Sequence, residues 1–395
     1  MAGGVTAPEG YLASGVAAGI KKRGLDLAVI FASRPASAAG VFTRNRVQAA
    51  PVSLSRENLE RTGGQLRAVL INSGCANACT GERGFRDALL SARTLASALR
   101  IDPSQVLVAS TGVIGEALPV SKVLQGIGKG VAALNSQGGD AAARAIMTTD
   151  TVVKSISIET RIGGRPVRIG GMAKGSGMIH PDLATMLAFI TTDAMVPAPL
   201  LKRLLRKVTD RTFNCLTVDG DTSTNDTVAI LANGASGVQV GGSAARWFED
   251  GLERVCEALA KSIARDGEGA SKFVEVRVTG AGSFEQARKV GKAIAHSPLV
   301  KTALCGEELN WGRILCAAGY SGVDFDPQEV RLSICGIPVY RRGCAVGATR
   351  NRAERALKGR EIRIDLDLGG SEGEARIWTC DLTREYIDIN ASYIS

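Results

Sequence analysis

Short apolar runs of strand length alternate along this chain with stretches whose apolar residues recur at helical spacing. That alternation restricts the fold more than any other feature. Residues 66–71 (LRAVLI) form a compact strand candidate ending in the turn cluster Asn72-Ser73-Gly74. Residues 85–99, rich in Ala and Leu, read as a helix. Residues 106–109 read as a buried strand running into a turn at Ser110-Thr111-Gly112, and residues 140–147 as a short helix behind Gly138-Gly139. Further on, residues 243–263 place Trp247, Leu252, Val255, Leu259 and Ile263 on one predicted helical face, with Ser243 as the cap. Strands are predicted at 273–278, 330–334 and 362–368, with a helix at 284–295 between the first two. The pattern predicts a layered α/β fold with mixed or antiparallel sheets. At 395 residues the chain exceeds what one core usually serves, so two domains are expected.

Composition removes several function classes. No stretch approaches the roughly 18–20 apolar residues that span a bilayer. Residues 1–14 lack the basic-then-apolar pattern of a secretory signal. The nine cysteines are scattered, and Cys75 and Cys79 have no second pair to complete a zinc site, so reduced thiols in the cytoplasm are expected. A net charge of +9 raises the question of nucleic acid, but the basic residues are dispersed and aromatics make up only 4% of the chain. A surface that attracts small anionic substrates accounts for the charge equally well.

Histidine narrows the chemistry. Only His180 and His296 occur. His296 ends a predicted helix, where a protonated imidazole suits the dipole, and His180 precedes a proline that shapes the chain. No metalloprotease, phosphate-loop or dinucleotide motif is present. A threonine at a newly made N-terminus needs no histidine, because its own α-amine, with a pKa of about 7.7–8.0, serves as the base. The glycine-dense stretch 161–177 reads as an irregular loop leading into a site. It is followed by Ala184-Thr185 at the head of a predicted buried strand, 183–190. Pattern alone leaves Thr185 open as an ordinary strand threonine.

The segment Lys174-Gly-Ser-Gly-Met-Ile-His-Pro-Asp-Leu-Ala-Thr-Met-Leu187, followed by Thr191-Thr-Asp-Ala194, resembles the cleavage-site motif of the ornithine acetyltransferase (glutamate N-acetyltransferase) family. The resemblance extends over the whole chain. It includes Asn72-Ser-Gly-Cys-Ala-Asn-Ala-Cys-Thr-Gly81, Ser110-Thr-Gly-Val-Ile-Gly115 and Met147-Thr-Thr-Asp-Thr151. It continues through Thr217-Val-Asp-Gly-Asp-Thr-Ser-Thr-Asn-Asp226, Asp266-Gly-Glu-Gly-Ala270, Asn310-Trp-Gly-Arg313 and Asp388-Ile-Asn-Ala391. Cys75 and Ser176 depart from the family's commonest pattern, asparagine and alanine respectively.

The resemblance implies a two-domain layered α/β sandwich built from two chains after autocleavage of the Ala184–Thr185 bond. The α chain would be residues 1–184 and the β chain residues 185–395, assembled as an α2β2 heterotetramer. It further implies Thr185 as nucleophile, Thr111 and Gly112 as the oxyanion hole, and Thr151, Lys174, Thr185, Glu268, Asn390 and Ser395 as substrate contacts. The implied reaction passes acetyl from N-acetylornithine to glutamate in the cyclic pathway of arginine biosynthesis, with no cofactor and no metal. Whether acetyl-CoA serves as a second donor is left open. The competing readings are a self-processed aminopeptidase or amidohydrolase of related fold, which would pass the acyl group to water, and a basic nucleic-acid-binding protein.

Overall fold

The computed structural model describes residues 3–180 and 186–392. Ala184, Thr185 and Ser395, assigned roles from the sequence, therefore lie outside the described residues. In chain order the first strands and helices are β1 (Tyr11–Val16), β2 (Leu27–Phe42), α1 (Ala50–Arg61), β3 (Gln65–Cys75), α2 (Gly81–Leu99), β4 (Val106–Val113), α3 (Val120–Ala132) and α4 (Gly139–Ala145). Next come β5 (Lys154–Ile162), β6 (Arg165–Lys174), β7 (Leu187–Thr192), α5 (Ala198–Arg211), β8 (Thr227–Ala232) and α6 (Ala244–Arg265). The remainder is β9 (Phe273–Ala281), α7 (Phe284–His296), α8 (Pro298–Cys305), α9 (Trp311–Gly319), β10 (Arg331–Ile334), β11 (Ile337–Arg341), β12 (Cys344–Ala345), α10 (Arg350–Ala356), β13 (Glu361–Asp367), β14 (Gly373–Cys380) and α11 (Arg384–Ser392).

Among the described residues these strands form two mixed sheets. The larger has eight strands in the order β4-β3-β2-β8-β7-β6-β5, with β1 pairing on β2. Within it β3 and β4, and β7 and β8, run parallel, and the other pairs run antiparallel. The smaller has six strands in the order β12-β11-β10-β13-β9-β14. The layered α/β class expected from the sequence is the one that forms.

Continuous apolar runs mark strands covered on both faces. In β3, Leu66, Val69 and Ile71 enter a core shared with α4, while Ala68 and Leu70 enter one shared with α2 and α3. In β7, Leu187 and Phe189 face the first of these cores, while Ala188 and Ile190 face a third, the largest. That third core joins the two sheets through α6, whose Phe248, Leu252, Val255, Leu259 and Ile263 pack with residues of β6, β9 and β14. Residues on both sides of position 185 share the larger sheet, since β7 pairs with β6 and β8 pairs with β2. A cut there would leave two interlocked pieces.

Several local expectations change. Trp247 is 59% exposed rather than buried, and Phe248 holds the core position. Phe248 precedes Leu252 by one turn, whereas Trp247 falls well off that stripe. Ser243 precedes α6 but makes no capping bond. Most of the glycine-dense stretch is an antiparallel hairpin of β5 and β6. Gly163 and Gly164, at φ +57° and +78°, form its tight turn, which requires two positive φ values. The irregular segment begins only at Gly175. The predicted strand at 183–190 is seen as Leu187–Thr192, and residues 183–185 lie outside the described residues. Ser73, Thr111 and Gly112 belong to strand ends rather than turns.

Candidate active site

Thr111 and Gly112 lie near the end of β4, where its ladder with β3 slips and Cys75 faces both Thr111 and Val113. Such a bulge re-aims the backbone at a strand end. Gly112 sits at φ +128°, and a Cβ there would stand 2.4 Å from the Gly74 carbonyl carbon, so the two strands approach too closely for any side chain. Asn225, just before β8, donates from one amide nitrogen to the carbonyls of Ser110 at 2.8 Å and Ala76 at 2.6 Å. Because the peptide unit is planar, holding the Ser110 carbonyl also fixes the direction of the Thr111 N–H. Rigidly aimed backbone donors are what stabilisation of a developing oxyanion demands.

The same cleft is lined by Thr111, Gly112, Lys174, Glu268 and Asn390, and by Met186, the residue following Thr185 in sequence. Lys174 ends β6, is buried, and donates to the Thr111 hydroxyl at 3.3 Å. Burial pushes its ammonium below the usual lysine range, and Lys154 adds to the effect, against the pull of Asp150, Glu268 and Asp226. Glu268 lies just after α6; its backbone N–H donates to the Ser176 carbonyl at 2.9 Å. Its carboxylate accepts from the Asn390 amide of α11 at 2.9 Å. The cleft therefore offers the Lys174 cation and the Glu268 carboxylate to a small zwitterion.

Thr151 stands beside this cleft, not among its lining residues. Its N–H and hydroxyl both bond to Asp266, while Thr148 and Thr149 line the cleft in its place. Cys75 is buried, and burial pushes its thiol up, away from reactivity. His180 bonds the Thr217 hydroxyl at 2.9 Å, and its ring packs 5.4 Å from that of His296 at the end of α7. Asp219 receives the N–H groups of Met178 at 2.7 Å and Ile179 at 2.8 Å, anchoring the chain just before position 181.

Sequence reasoning missed Asp150, Lys154, Asn225, Asp226 and Asp266. Four of them stood inside the quoted motifs without a role. Lys154 had its own signal, a charge within the apolar alternation at the start of β5.

Asp226 lines the cleft, is 2% exposed, and has one carboxylate oxygen with no hydrogen-bond partner among the described residues. Burial pushes its carboxyl well above the ordinary range, opposed by bonds from Ser223 and by the charge of Lys174. A carboxyl whose native pKa is raised favours the fold while protonated, and that contribution is lost as pH rises through the native value. Asp226→Asn is therefore expected to raise Tm by roughly 2–5 °C at pH 8, with no gain at pH 4. Thermal melts at the two pH values check this.

The model of the ArgJ family matches residues 12–395. The chain is 52% identical over 399 residues to the arginine biosynthesis bifunctional protein ArgJ of Symbiobacterium thermophilum, covering 100% of this chain and 99% of the relative. It is 48% identical over 394 residues to the protein of the same name from Parasynechococcus marenigrum, covering 100% and 96%. The crystal structure of the arginine biosynthesis bifunctional protein from Bacillus halodurans matches with a TM-score of 0.51 at 42% identity, over 52% of this chain and 98% of that one. With a family match from β1 to the C-terminus and near-complete coverage of both relatives, this chain belongs to the ArgJ family.

Proposed function

We propose that this ArgJ-family enzyme is an acetyltransferase of arginine biosynthesis that moves acetyl from N-acetylornithine to glutamate through an ester on Thr185. The observation that carries the reading is the convergence of Thr111, Gly112, Lys174, Glu268 and Asn390, drawn from β4, β6, the segment after α6, and α11, on one cleft beside Met186. Ornithine and glutamate share an α-carboxylate, which Lys174 pairs, and ornithine's side-chain ammonium meets Glu268. Asn390 and Ser395 complete the substrate contacts, with Thr151 held beside the cleft by Asp266.

The hydroxyl of Thr185 attacks the acetyl carbonyl, and its proton passes to the Thr185 α-amine. Thr111 and Gly112 hold the oxyanion. Collapse breaks the amide bond, the proton moves to the departing α-amine of ornithine, and an acetyl-Thr185 ester remains. The α-amine of glutamate attacks this ester, loses a proton to the Thr185 amine, and leaves as N-acetylglutamate. The cycle uses no cofactor or metal, and acetyl-CoA would enter only as an alternative donor to the same hydroxyl.

The α-amine must be free, so the Ala184–Thr185 bond is cut first. The Thr185 hydroxyl attacks the Ala184 carbonyl, and water opens the resulting ester. The Bacillus halodurans chain, about half the length of this one, supports a product of such a cut. The two products assemble as an α2β2 heterotetramer acting in the cytoplasm; among the described residues no helix is long and apolar enough to cross a membrane.

Isotope exchange tests the ester. Labelled ornithine is expected to enter N-acetylornithine with no glutamate present. Absence of exchange alongside full transfer would mean direct attack without an intermediate, and release of acetate in place of N-acetylglutamate would favour the amidohydrolase reading.

A further inference from the structure

Lys154, the first residue of β5, is a buried cation away from the cleft lining. Its side chain is fully buried, and its ammonium donates to Asp150 at 2.6 Å and to Asp266. Each carboxylate in turn holds a different part of the site. Asp150 accepts the Gly175 N–H at 2.7 Å and the Thr148 N–H at 3.0 Å, and faces the Lys174 ammonium at 4.0 Å. Asp266 accepts the N–H of Thr151 at 3.0 Å as well as its hydroxyl, and lies two residues before Glu268. Burial disfavours the Asp150 charge, but Lys174, Lys154 and the Gly175 N–H outweigh it and hold that carboxyl at about 2.

We propose that Lys154 is a positioning residue, a buried clasp that sets the separation of Lys174 from Glu268 and so the spacing of substrate charges the cleft accepts. The inference rests on the acetyl-transfer reading above. Two segments meet at its ammonium, the loop 147–152 and the turn after α6, and Asp150 ties a third to them by accepting the Gly175 N–H. Asp150 and Lys154 precede position 185 and Asp266 follows it, so the clasp joins the two pieces that cleavage would create. A buried lysine between two carboxylates cannot be removed without leaving unpaired charge, so its loss would disturb a junction that the bonds of Thr151 to Asp266 and of Glu268 to Ser176 also cross.

The experiment compares the wild type with Lys154→Met and with Lys154→Met/Asp266→Asn, the second variant removing the charge that the first strands. Intact mass reports the cut, circular dichroism the fold, and steady-state kinetics the transfer between N-acetylornithine and glutamate. In the folded, cut variants KM for both substrates is expected to rise about tenfold or more, as small displacements of binding groups do, with kcat within about threefold. The alkaline limb of kcat/KM that Lys174 sets is expected to move to higher pH, because a like charge is gone. The other titratable groups facing Lys174 are Asp150 before β5, Asp226 before β8, Glu268 after α6, and Lys21 between β1 and β2. The double variant leaves all four in place.

Wild-type KM values and an unmoved limb in a folded, cut variant would overturn the proposal. So would failure of both variants to fold, which would make Lys154 a residue of the fold alone. A wild type that cuts but transfers no acetyl would instead overturn the functional reading, and the clasp with it.

Discussion

A Thr185→Ala variant is expected to purify as one uncut chain of 395 residues, where the wild type is expected to give pieces of 184 and 211. Acetyl transfer should fall by at least about a thousandfold, the scale of losing a covalent nucleophile. Both losses have one cause, because the hydroxyl that attacks the Ala184 carbonyl later attacks the acetyl group. The fold should survive, since the substitution keeps the Cβ and removes only a hydroxyl and a methyl group. Thr185→Ser separates the roles, as it keeps a hydroxyl and an α-amine and should cut and turn over slowly. Intact mass under denaturing conditions beside a thermal melt checks each point. An uncut Thr185→Ala protein that transferred acetyl at the wild-type rate would remove the ester from the mechanism.

Elements buried on both faces were the most legible from sequence. Residues 68–71 and 186–190 are apolar on successive positions because cores lie on both sides of β3 and β7, and that pattern needs no knowledge of partners. Glycine density misled because two different needs look alike in sequence. Gly163 and Gly164 serve a hairpin turn, while Gly170 and Gly171 sit inside β6 and would, with a Cβ, press on the Gly4 carbonyl and on Leu259. Trp247 misled because size stands in for burial only when the helical phase also agrees. Thr111 and Gly112 looked like a turn because the bulge that extends β4 is made by β3, about forty positions earlier. The supporting charges were hidden for the same reason. Lys154 and Asp266 are 112 residues apart, and only the packing of α6 against β5 and β6 brings them together.

Gly112→Ala tests the oxyanion assignment with an effect nearly as large. A Cβ at this position would stand 2.4 Å from the Gly74 carbonyl carbon and 2.6 Å from the Cys75 nitrogen. Both are backbone atoms, so relief requires β3 and β4 to part at the bulge. That movement re-aims the N–H groups of residues 111 and 112, and loss of one aimed donor slows acyl transfer by about 100–1000-fold. Cleavage and transfer should slow together, because both pass through an oxyanion at the same donors. Strain from the positive φ would add a stability cost of about 1–3 kcal/mol, so a control must carry similar strain elsewhere. Gly115 provides it: its φ is +86°, and a Cβ there would meet nothing within 4 Å. Gly115→Ala is expected to lower Tm slightly while cutting and turning over like the wild type. Time-resolved intact mass and kcat for the two variants decide between a specific and a general effect. If Gly112→Ala behaves like Gly115→Ala, the oxyanion is held by donors other than this pair.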